Sequence, residues 1–365
     1  LTQRWDHAPA AAVAESLKAF FKVPEAGNDD AFARLAALLL LQKMGAAPEG
    51  ADVRAEALLD RLQAQRTPEG LWPWFPKGKG DRWVTAEICL GVARLHRVGL
   101  APKPLVEAVR DTLAHHADAL PFAVATYAAA EFCPETARKD ALLADKLFRA
   151  YRSAGSVQER RMLALAAQRL GAKTVADQGL KDTLAAINAS EAWGVWWPQE
   201  RTWWCRWHTP IESHALGLEQ LRASGRDAEA TAAARWLLQH RRLNGWGTSR
   251  ATLAAAFALC GEPSGWEAKP AQPPKVRLTT RPLAEGKGRE ITFARETPGL
   301  SFGSLVASYR LPLAQVPPPQ VGGDAGLTLT RTLEPAEPKV GDDVTVTLLL
   351  TAAQPMQHVL SLIHI

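Results

Sequence analysis

Hydrophobic positions recur three and four residues apart along most of the first 260 residues. Leu35, Leu38 and Leu39 show this spacing. The period is that of an amphipathic α-helix, with one side facing a core. Gly and Pro residues divide the region into roughly a dozen helices of ordinary length. Six of them are expected at about 84–98, 102–116, 121–132, 138–152, 156–170 and 173–186.

A Gly–Trp corner occurs three times between consecutive predicted helices. The three copies are Gly70-Leu71-Trp72, Gly194-Val195-Trp196-Trp197 and Gly245-Trp246-Gly247. Glycine allows the chain to turn with a positive φ, and tryptophan fills the corner with a large apolar surface. Repetition of one supersecondary unit predicts a stacked architecture. We expect Trp72, Trp196 and Trp246 to lie at one end of the helical domain and to be mostly buried.

The fold class predicted is mainly α: an α/α toroid of about twelve helices, six inside six, followed by a partial antiparallel β-sandwich. An open helical solenoid is the alternative, but solenoid repeats usually show stronger internal identity. The helices following the three corners are expected to begin near Thr85, Thr209 and Ser249.

The pattern changes after Cys260. Residues 261–275 carry four prolines and predict a linker. Beyond them the hydrophobic period falls to two, which predicts strands. The candidate strands are Val276–Thr280, Glu290–Ala294, Leu300–Tyr309, Thr328–Leu333 and Val344–Thr351. The predicted organisation is therefore a toroid over 1–260, a linker over 261–275, and a C-terminally truncated β-sandwich over 276–365. Residues 361–365 depart from the strand pattern, and we expect a truncated or spurious end there.

Composition narrows the class of protein. The chain is 47% hydrophobic and 22% charged, with a net charge of +5, so it can bury a core. Its basic residues are dispersed among acidic ones, which argues against nucleic acid as a partner. The apolar run Leu35–Leu41 is far shorter than the roughly 20 residues of a membrane span. The chain begins at Leu1 without a targeting signal, so we expect a piece of a longer polypeptide.

The densest polar and aromatic segment is residues 203–214. Thr209, Pro210 and Glu212 are typical of a helix start with a capping box. A metal site is the alternative interpretation. Its candidate ligands are Cys205, His208, Glu212 and His214. Their spacing is loose for zinc, and a core histidine is the favoured interpretation. We therefore assign no catalytic, cofactor-binding or metal-binding residue and predict no cofactor.

The tryptophans could alternatively stack on sugar rings or enclose a carbocation. Cleavage of a polysaccharide needs two carboxylates at a defined separation. The Trp-rich loops offer no obvious pair beyond four scattered acids: Glu69, Asp81, Glu191 and Glu200. Isoprenoid cyclisation would need an Asp-rich motif that the chain lacks. No nucleophile–base set or phosphate loop is present either, so the sequence does not predict an enzyme.

The ordered motifs resemble the C-terminal part of bacterial alpha-2-macroglobulin-like proteins. The matching segments are 62–75, 83–87, 209–215, 234–238, 245–252, 299–305 with Tyr309, and 340–344. The resemblance implies that the toroid is the thioester-type domain and that the β-part is a macroglobulin-like domain. It also implies a protease-trapping function, with proteases as partners of the full-length protein, and a periplasmic or extracellular location.

The resemblance stops at the thioester itself. Members that carry one have a Cys-x-Glu-Gln motif near the start of the toroid. None of the four cysteines, Cys89, Cys133, Cys205 and Cys260, is followed by Glu-Gln at that spacing. Covalent capture therefore cannot be assigned to any residue of this chain. The alternatives are a toroid enzyme acting on polysaccharide or isoprenoid, and a non-inhibitory interaction scaffold.

Overall fold

The computed structural model of the protein describes twelve segments of the chain. They are 2–6, 9–22, 27–132, 143–191, 193–198, 210–242, 245–261, 276–282, 289–295, 302–306, 327–337 and 343–352. The chain divides into two compact units. The larger comprises 3–305, and the smaller comprises 306–365 together with the first two residues.

The described segments of the larger unit contain twelve α-helices. They are α1 (Pro9–Lys18), α2 (Asn28–Lys43), α3 (Ala51–Ala64), α4 (Arg82–Arg97), α5 (Lys103–His115), α6 (Phe122–Phe132), α7 (Leu143–Ser153), α8 (Val157–Leu170), α9 (Lys173–Ala185), α10 (Pro210–Ala223), α11 (Asp227–Gln239) and α12 (Ser249–Cys260). Six of the predicted spans are matched closely, although residues 138–142 of one lie outside the described residues.

The even-numbered helices form a closed inner ring. Helix α2 packs against α4, α4 against α6, α6 against α8, α8 against α10, α10 against α12, and α12 against α2. The odd-numbered helices pack on the outside of this ring, each against one or both of its neighbours in sequence. Six inner and six outer helices form an α/α toroid, so the predicted fold class is confirmed.

Burial distinguishes the two layers. Every residue of Ala251–Cys260 in inner helix α12 is buried, whereas outer helix α9 buries only Val175, Gly179 and Thr183. A helix covered on all sides belongs inside the domain, and a single apolar stripe belongs at its edge. Small residues bring the layers close. A Cβ at Gly179 would lie 2.3 Å from the Cβ of Ala164 on α8.

The inner helices run in the same direction. Near their starts, α10 and α12 are joined by an ion pair between Glu212 and Arg250. In their later turns, α4 and α10 are joined by Arg94 and Glu219 at 3.0 Å. The toroid therefore has two distinct ends. We call the end where the inner helices begin the corner end, and the end where they finish the opposite end.

The starts of the inner helices follow local capping chemistry. Helix α4 begins three residues earlier than predicted, because Asp81 accepts hydrogen bonds from the Trp83 and Val84 amides at 2.8 and 3.0 Å. Helix α10 begins at Pro210, whose fixed φ suits a first helical residue. Helix α12 begins at Ser249 as predicted.

The described strands form four two-stranded sheets. They are β1 (Thr2–Asp6), β2 (Asn188–Ser190), β3 (Gly194–Trp196), β4 (Val276–Pro282), β5 (Arg289–Arg295), β6 (Phe302–Val306), β7 (Leu327–Glu334) and β8 (Thr345–Ala352). The pairs are β1 with β6, β2 with β3, β4 with β5, and β7 with β8. The last three pairs are antiparallel.

A described strand falls within or on each of the five predicted strands, although residues 300–301 and 307–309 of the third lie outside the described residues. The sequence prediction missed β1 and the short β2–β3 hairpin. The predicted linker lies outside the described residues, apart from Gly261. Assembly of the strand pairs into a sandwich stays a prediction.

Candidate functional site

Each corner has one tryptophan that fills the space between an outer helix and the next inner helix. The side chains of Trp72, Trp197 and Trp246 have relative exposures of 0%, 7% and 4%. Each indole N–H donates to a backbone carbonyl of the preceding outer helix. The acceptors are Leu62 at 2.8 Å, Thr183 at 2.8 Å and Leu237 at 2.7 Å. All three acceptors lie two residues before the last residue of their helix.

In the second corner, the tryptophan that fills the joint is Trp197, while Trp196, which the prediction named as mostly buried, packs against the core from its edge. Trp196 is half-buried on the β2–β3 hairpin, and the next residue, Trp197, takes the buried position. The three corners all lead from an outer helix into an inner one, so they share the corner end of the toroid. Their glycines, Gly70, Gly194 and Gly245, have φ values of 74°, 80° and 108°.

A threonine on the following inner helix fixes two of the corners. The Trp72 amide donates to Thr85 Oγ1 at 2.8 Å, and the Trp246 amide donates to Thr252 Oγ1 at 3.0 Å. Each threonine is the fourth residue of its helix. The sequence prediction missed this feature, although the recurrence of Thr four residues into the helix is visible in the sequence.

The second corner uses an arginine instead. Arg161 of α8 lies with its guanidinium 4.3 Å from the centre of the Trp197 ring. Its Nη1 donates to the Ser213 carbonyl at 2.6 Å, and Ser213 is the fourth residue of α10. Arg161 thus connects the tryptophan to the inner helix that follows it.

His214 lies inside a column of aromatic rings rather than in a metal site. Its ring meets Trp197 edge-on at 4.9 Å and stacks on Trp236 at 4.2 Å, and Trp236 stacks on His240 at 3.6 Å. Its Nε2 is 2.9 Å from the Ala233 carbonyl, to which the neutral ring donates. Burial lowers the pKa of His214 to about 3, so the ring is neutral.

The remaining candidate metal ligands do not join His214 in a described site. Glu212 pairs with Arg250. Cys205 and His208 lie outside the described residues, as does Thr209 of the predicted capping box. Within the described residues no group of three potential ligands could hold a metal ion.

Carboxyl groups converge on a small cavity at the corner end. The cavity has a volume of about 60 Å³, and its lining includes Glu87 of α4, Glu159 of α8, Glu212 of α10 and Arg250 of α12. The side chain of Trp83 forms part of its apolar wall. Acidic groups near helix N-termini are favoured by the helix dipoles, which accounts for part of this arrangement.

Glu87 is the least well paired of these carboxyls in the described structure. Its side chain is 10% exposed, and its ion pair with Arg250 is long, at 3.9 Å. Burial raises the pKa of Glu87 to about 8, and repulsion from Glu212 and Asp29 acts in the same direction. Burial also raises the pKa of Asp29 in the first turn of α2. Glu87 is therefore mostly protonated at neutral pH.

The four acids considered from the sequence do not form a catalytic pair in the described residues. Asp81 is the cap of α4, and Glu69 and Glu191 are exposed. Glu200 lies outside the described residues. The convergence of Glu87 and Glu212 could not be read from the sequence, because they are 125 positions apart and neither occurs in a recognisable motif.

Two of the four cysteines are described, and both are buried free thiols. Burial raises the pKa of Cys89 and of Cys260 to about 12. The nucleophilic form of cysteine is the thiolate, which is scarce at neutral pH when the pKa is this high. Cys133 and Cys205 lie outside the described residues.

The fold places this chain in the class of proteins that combine an α/α toroid with a β-region that follows it in sequence. Among solved structures it is shared by the C-terminal part of bacterial alpha-2-macroglobulins. Native Escherichia coli alpha-2-macroglobulin from domain MG7 to the C-terminus matches with a TM-score of 0.53 and 15% identity, covering 91% of this chain and 55% of that one.

Two longer structures agree. The native conformation of the E. coli protein matches with a TM-score of 0.54 and 15% identity, covering 91% of this chain and 22% of that one. Salmonella alpha-2-macroglobulin reacted with methylamine matches with a TM-score of 0.52 and 13% identity, covering 83% and 20%. This chain thus spans about half of the first structure and about a fifth of the longer ones.

At these identities the likeness concerns the fold. No protein-family profile and no curated protein sequence matches the chain. Among the described residues, no helix combines the length and apolar character needed to cross a membrane.

Proposed function

We propose that this chain is part of a protease-trapping protein of the alpha-2-macroglobulin type. The observation that carries the proposal is the closed ring of six inner and six outer helices followed by strand pairs, an arrangement matched over 91% of the chain at a TM-score of 0.53. In this proposal the toroid occupies 1–260, the linker 261–275, and a partial macroglobulin-like domain 276–365. Proteases are its partners, and its location is periplasmic or extracellular.

Trapping by enclosure is the mechanism that suits the described chemistry. The chain contains no Cys-x-Glu-Gln motif, and Cys89 and Cys260 are buried with pKa values of about 12. Acylation of a captured protease requires a thiol ester held open to attack. Neither described cysteine offers that chemistry, so the proposed role of this region is mechanical: a rigid toroid that changes position when the full-length protein is cleaved. The chain is not an enzyme in this proposal.

Incubation of the full-length gene product with trypsin tests the proposal. Enclosed trypsin should keep its activity on a small chromogenic peptide and lose most of its activity on casein, because enclosure blocks large substrates only. Trypsin inactivated at its active-site serine is the control and should not be trapped, since trapping requires cleavage.

The absence of covalent capture is tested on the same samples. Intact mass after methylamine treatment should be unchanged, and no trypsin adduct should survive denaturing electrophoresis. Equal loss of activity on the peptide and on casein, or no loss on either, would contradict the trapping function. A methylamine adduct with one released thiol would contradict only the non-covalent mechanism.

One observation favours a second candidate, a toroid enzyme. An enzyme of this architecture needs carboxyl groups that converge near the centre of the ring, and Glu87 with its pKa of about 8 has the protonation state of a general acid. The size of the cavity argues against this function. Its volume of about 60 Å³ is far below the 300–1,000 Å³ of ordinary ligand pockets. Hydrolysis of polysaccharide by the chain, abolished in Glu87→Gln, would favour the enzyme over the trap.

A further inference from the structure

The loop that joins α3 to α4 presents six consecutive exposed residues at the corner end. They are residues 74–79, with the sequence Trp-Phe-Pro-Lys-Gly-Lys. A backbone bridge between Pro73 and Gly80 closes the loop at its base. Within the loop, the Gly78 amide donates to the Phe75 carbonyl at 3.0 Å. The first Gly–Trp corner therefore carries a closed, hydrogen-bonded surface loop.

The base of this loop is tied to the buried part of the ring. Asn28, the first residue of α2, is fully buried. Its amide donates to the Trp74 carbonyl at 3.0 Å, and its Nδ2 donates to the Pro73 carbonyl at 2.9 Å. At the other strand of the loop, the Asp81 amide donates to the Trp72 carbonyl at 2.9 Å. A loop that is fixed at its base loses little conformational entropy when its tip meets a partner.

Exposed aromatic side chains occur at several places on the same end of the toroid. Phe75 in the loop is 60% exposed, Phe122 at the start of inner helix α6 is 55% exposed, and Trp193 in the second corner is 52% exposed. Each lies on a connection from an outer helix into an inner one, so all three belong to the corner end. Large apolar side chains exposed on one side of a domain indicate a surface that meets a partner.

Three basic side chains accompany Phe75. Lys77, Lys79 and Arg82 are exposed, and in the described part of the chain none of them forms an ion pair. Arg82 lies with its guanidinium 4.9 Å from the centre of the Trp83 ring. Lys77 has a φ of 62°, a conformation that favours glycine. The loop thus holds a charged side chain at a position where glycine would cause the least strain.

The net charge of this loop is positive. Residues 74–83 carry three basic side chains and one acidic side chain, so their net charge is +2. The acidic residue, Asp81, accepts two hydrogen bonds as the cap of α4. Glu69, the nearest acidic residue before the loop, interacts electrostatically with His116. An anionic surface is therefore the electrostatic complement of the loop.

A lipid surface fits this combination better than a protein partner does. The three exposed aromatic side chains come from three separate connections of the ring. A stable protein interface needs a continuous, complementary area of at least about 1,000 Å². The headgroup region of a bilayer accepts aromatic side chains at separate points of one face, and its anionic lipids attract neighbouring basic residues.

We propose that the corner end of the toroid binds peripherally to an anionic phospholipid bilayer. Phe75, Phe122 and Trp193 enter the headgroup region as apolar anchors. Lys77 and Lys79 approach the lipid phosphates. The chain lies on the membrane in this arrangement and does not span it. The inference is independent of the proposed trapping function and adds to it a surface on which the protein is held.

Sedimentation of the chain with sucrose-loaded vesicles tests the proposal. Vesicles of phosphatidylcholine that contain about one third phosphatidylglycerol should bind the chain at least about tenfold more tightly than pure phosphatidylcholine vesicles. Raising the sodium chloride concentration from about 0.1 M to about 0.5 M should weaken this binding at least about tenfold, because salt screens the attraction between exposed charges.

Removal of the two lysines tests the electrostatic part. Lys77→Gln/Lys79→Gln should weaken binding by about 25-fold, which is about fivefold for each lysine near an anionic surface. The matched control is Lys103→Gln/Lys173→Gln. It removes the same charge from the first residues of outer helices α5 and α9, which begin at the opposite end. The control should bind within about twofold of the wild-type chain, since its lysines face away from the bilayer.

Replacement of an aromatic side chain tests the apolar part. Phe75→Ser should weaken binding by about tenfold, because it removes an apolar ring from the headgroup region. Val53→Ser is the control, at a side chain that is 71% exposed near the start of outer helix α3, and it should have no effect. All four variants change exposed side chains and should keep the Tm of the wild-type chain.

Three results would overturn the proposal. Equal binding to the two kinds of vesicle would show that anionic lipid is not recognised. Equal losses in the two double-lysine variants would show that the overall charge of the chain attracts the vesicles, rather than the corner end. No binding to either vesicle is the result expected if this face meets an acidic protein instead.

Discussion

The two ends of the toroid close the same ring of inner helices with opposite chemistry. At the corner end, Trp72 and its two counterparts fill the joints, and the carboxyls of Glu87 and Glu212 share Arg250. At the opposite end, arginines predominate and Glu219 is held by hydrogen bonds from three groups. The helix dipoles favour this distribution of charge, because anions are stabilised at helix N-termini, which lie at the corner end, and cations at helix C-termini, which lie at the opposite end.

The difference lies in how well each buried carboxyl is paired. Glu219 meets its guanidiniums at 3.0 and 3.1 Å and has a pKa of about 2, whereas Glu87 meets Arg250 only at 3.9 Å and has a pKa of about 8. A buried charge persists when short hydrogen bonds compensate for lost hydration, and otherwise the group takes up a proton. The Glu219 carboxylate is therefore kept ionised by its arginines at the opposite end, whereas Glu87 is kept neutral by burial at the corner end.

The largest expected effect concerns the corner end. Trp72→Ala should lower the free energy of unfolding by about 4 kcal/mol, because it leaves a cavity and removes the donor to the Leu62 carbonyl. Trp74→Ala, two positions away on an exposed side chain, is the control and should cost less than about 1 kcal/mol. Urea unfolding measures both. Similar losses for the two variants would mean that the buried indole does not hold the corner.

The comparison of the two carboxyls comes next. Glu219→Gln should cost about 3 kcal/mol at pH 7, because it leaves buried guanidiniums without their anion. Glu87→Gln should not lower the free energy of unfolding at pH 7 and should raise it, because the Glu87 carboxyl is ionised in the unfolded chain and must take up a proton to fold, whereas the amide is neutral in both states. Urea unfolding at pH 7 again provides the measurement. A larger loss in Glu87→Gln than in Glu219→Gln would reverse our assignment of the two ends.

The contributions of Glu87 and Glu219 to stability should depend on pH in opposite directions. The folded pKa of Glu87 is about 8, above its ordinary value of 4.5, so its contribution is complete below pH 4.5 and is lost as pH rises towards 8. The folded pKa of Glu219 is about 2, so its contribution is complete above pH 4.5 and is lost as pH falls towards 2.

Comparison of the wild-type chain with Glu87→Gln isolates the contribution of Glu87 to the pH dependence of stability. Between pH 5 and 8, the stability of the wild-type chain relative to Glu87→Gln should fall by at most about 1.4 kcal/mol per pH unit. Unfolding curves at pH 5, 6.5 and 8 measure this difference. His214, which lies in the aromatic column and has a pKa of about 3, is unchanged in both proteins and cancels. A constant difference across this range would show that Glu87 is ionised in the folded chain.

The smallest effect concerns thiol reactivity. Cys89 at the centre of α4 and Cys260 at the end of α12 should resist iodoacetamide at pH 8 for hours in the native chain and react within minutes in urea. Peptide mapping by mass spectrometry distinguishes them from the other two cysteines. Rapid native labelling of Cys260 but not of Cys89 would indicate that the opposite end opens more readily than the ring interior.

The sequence by itself determined the local features of this protein. Helix periodicity, the glycines of the corners, the start of α12 at Ser249 and the five strands all follow from residues within a few positions of one another. Local backbone preference and the spacing of apolar side chains suffice for these features. The departures from prediction were local as well. The Asp81 cap moved the start of α4 by three residues, and the β2–β3 hairpin places Trp197, next to the predicted Trp196, in the joint.

Only the tertiary structure decided which charges meet. Arg94 and Glu219 are 125 positions apart, Glu87 and Arg250 are 163 apart, and neither pair belongs to a motif. Their encounter requires closure of the ring, in which α12 returns to pack against α2. The pKa values of the same carboxyls then depend on contact distances of 3.0 against 3.9 Å and on burial. Sequence specifies the helices, and burial within the closed ring specifies their electrostatics.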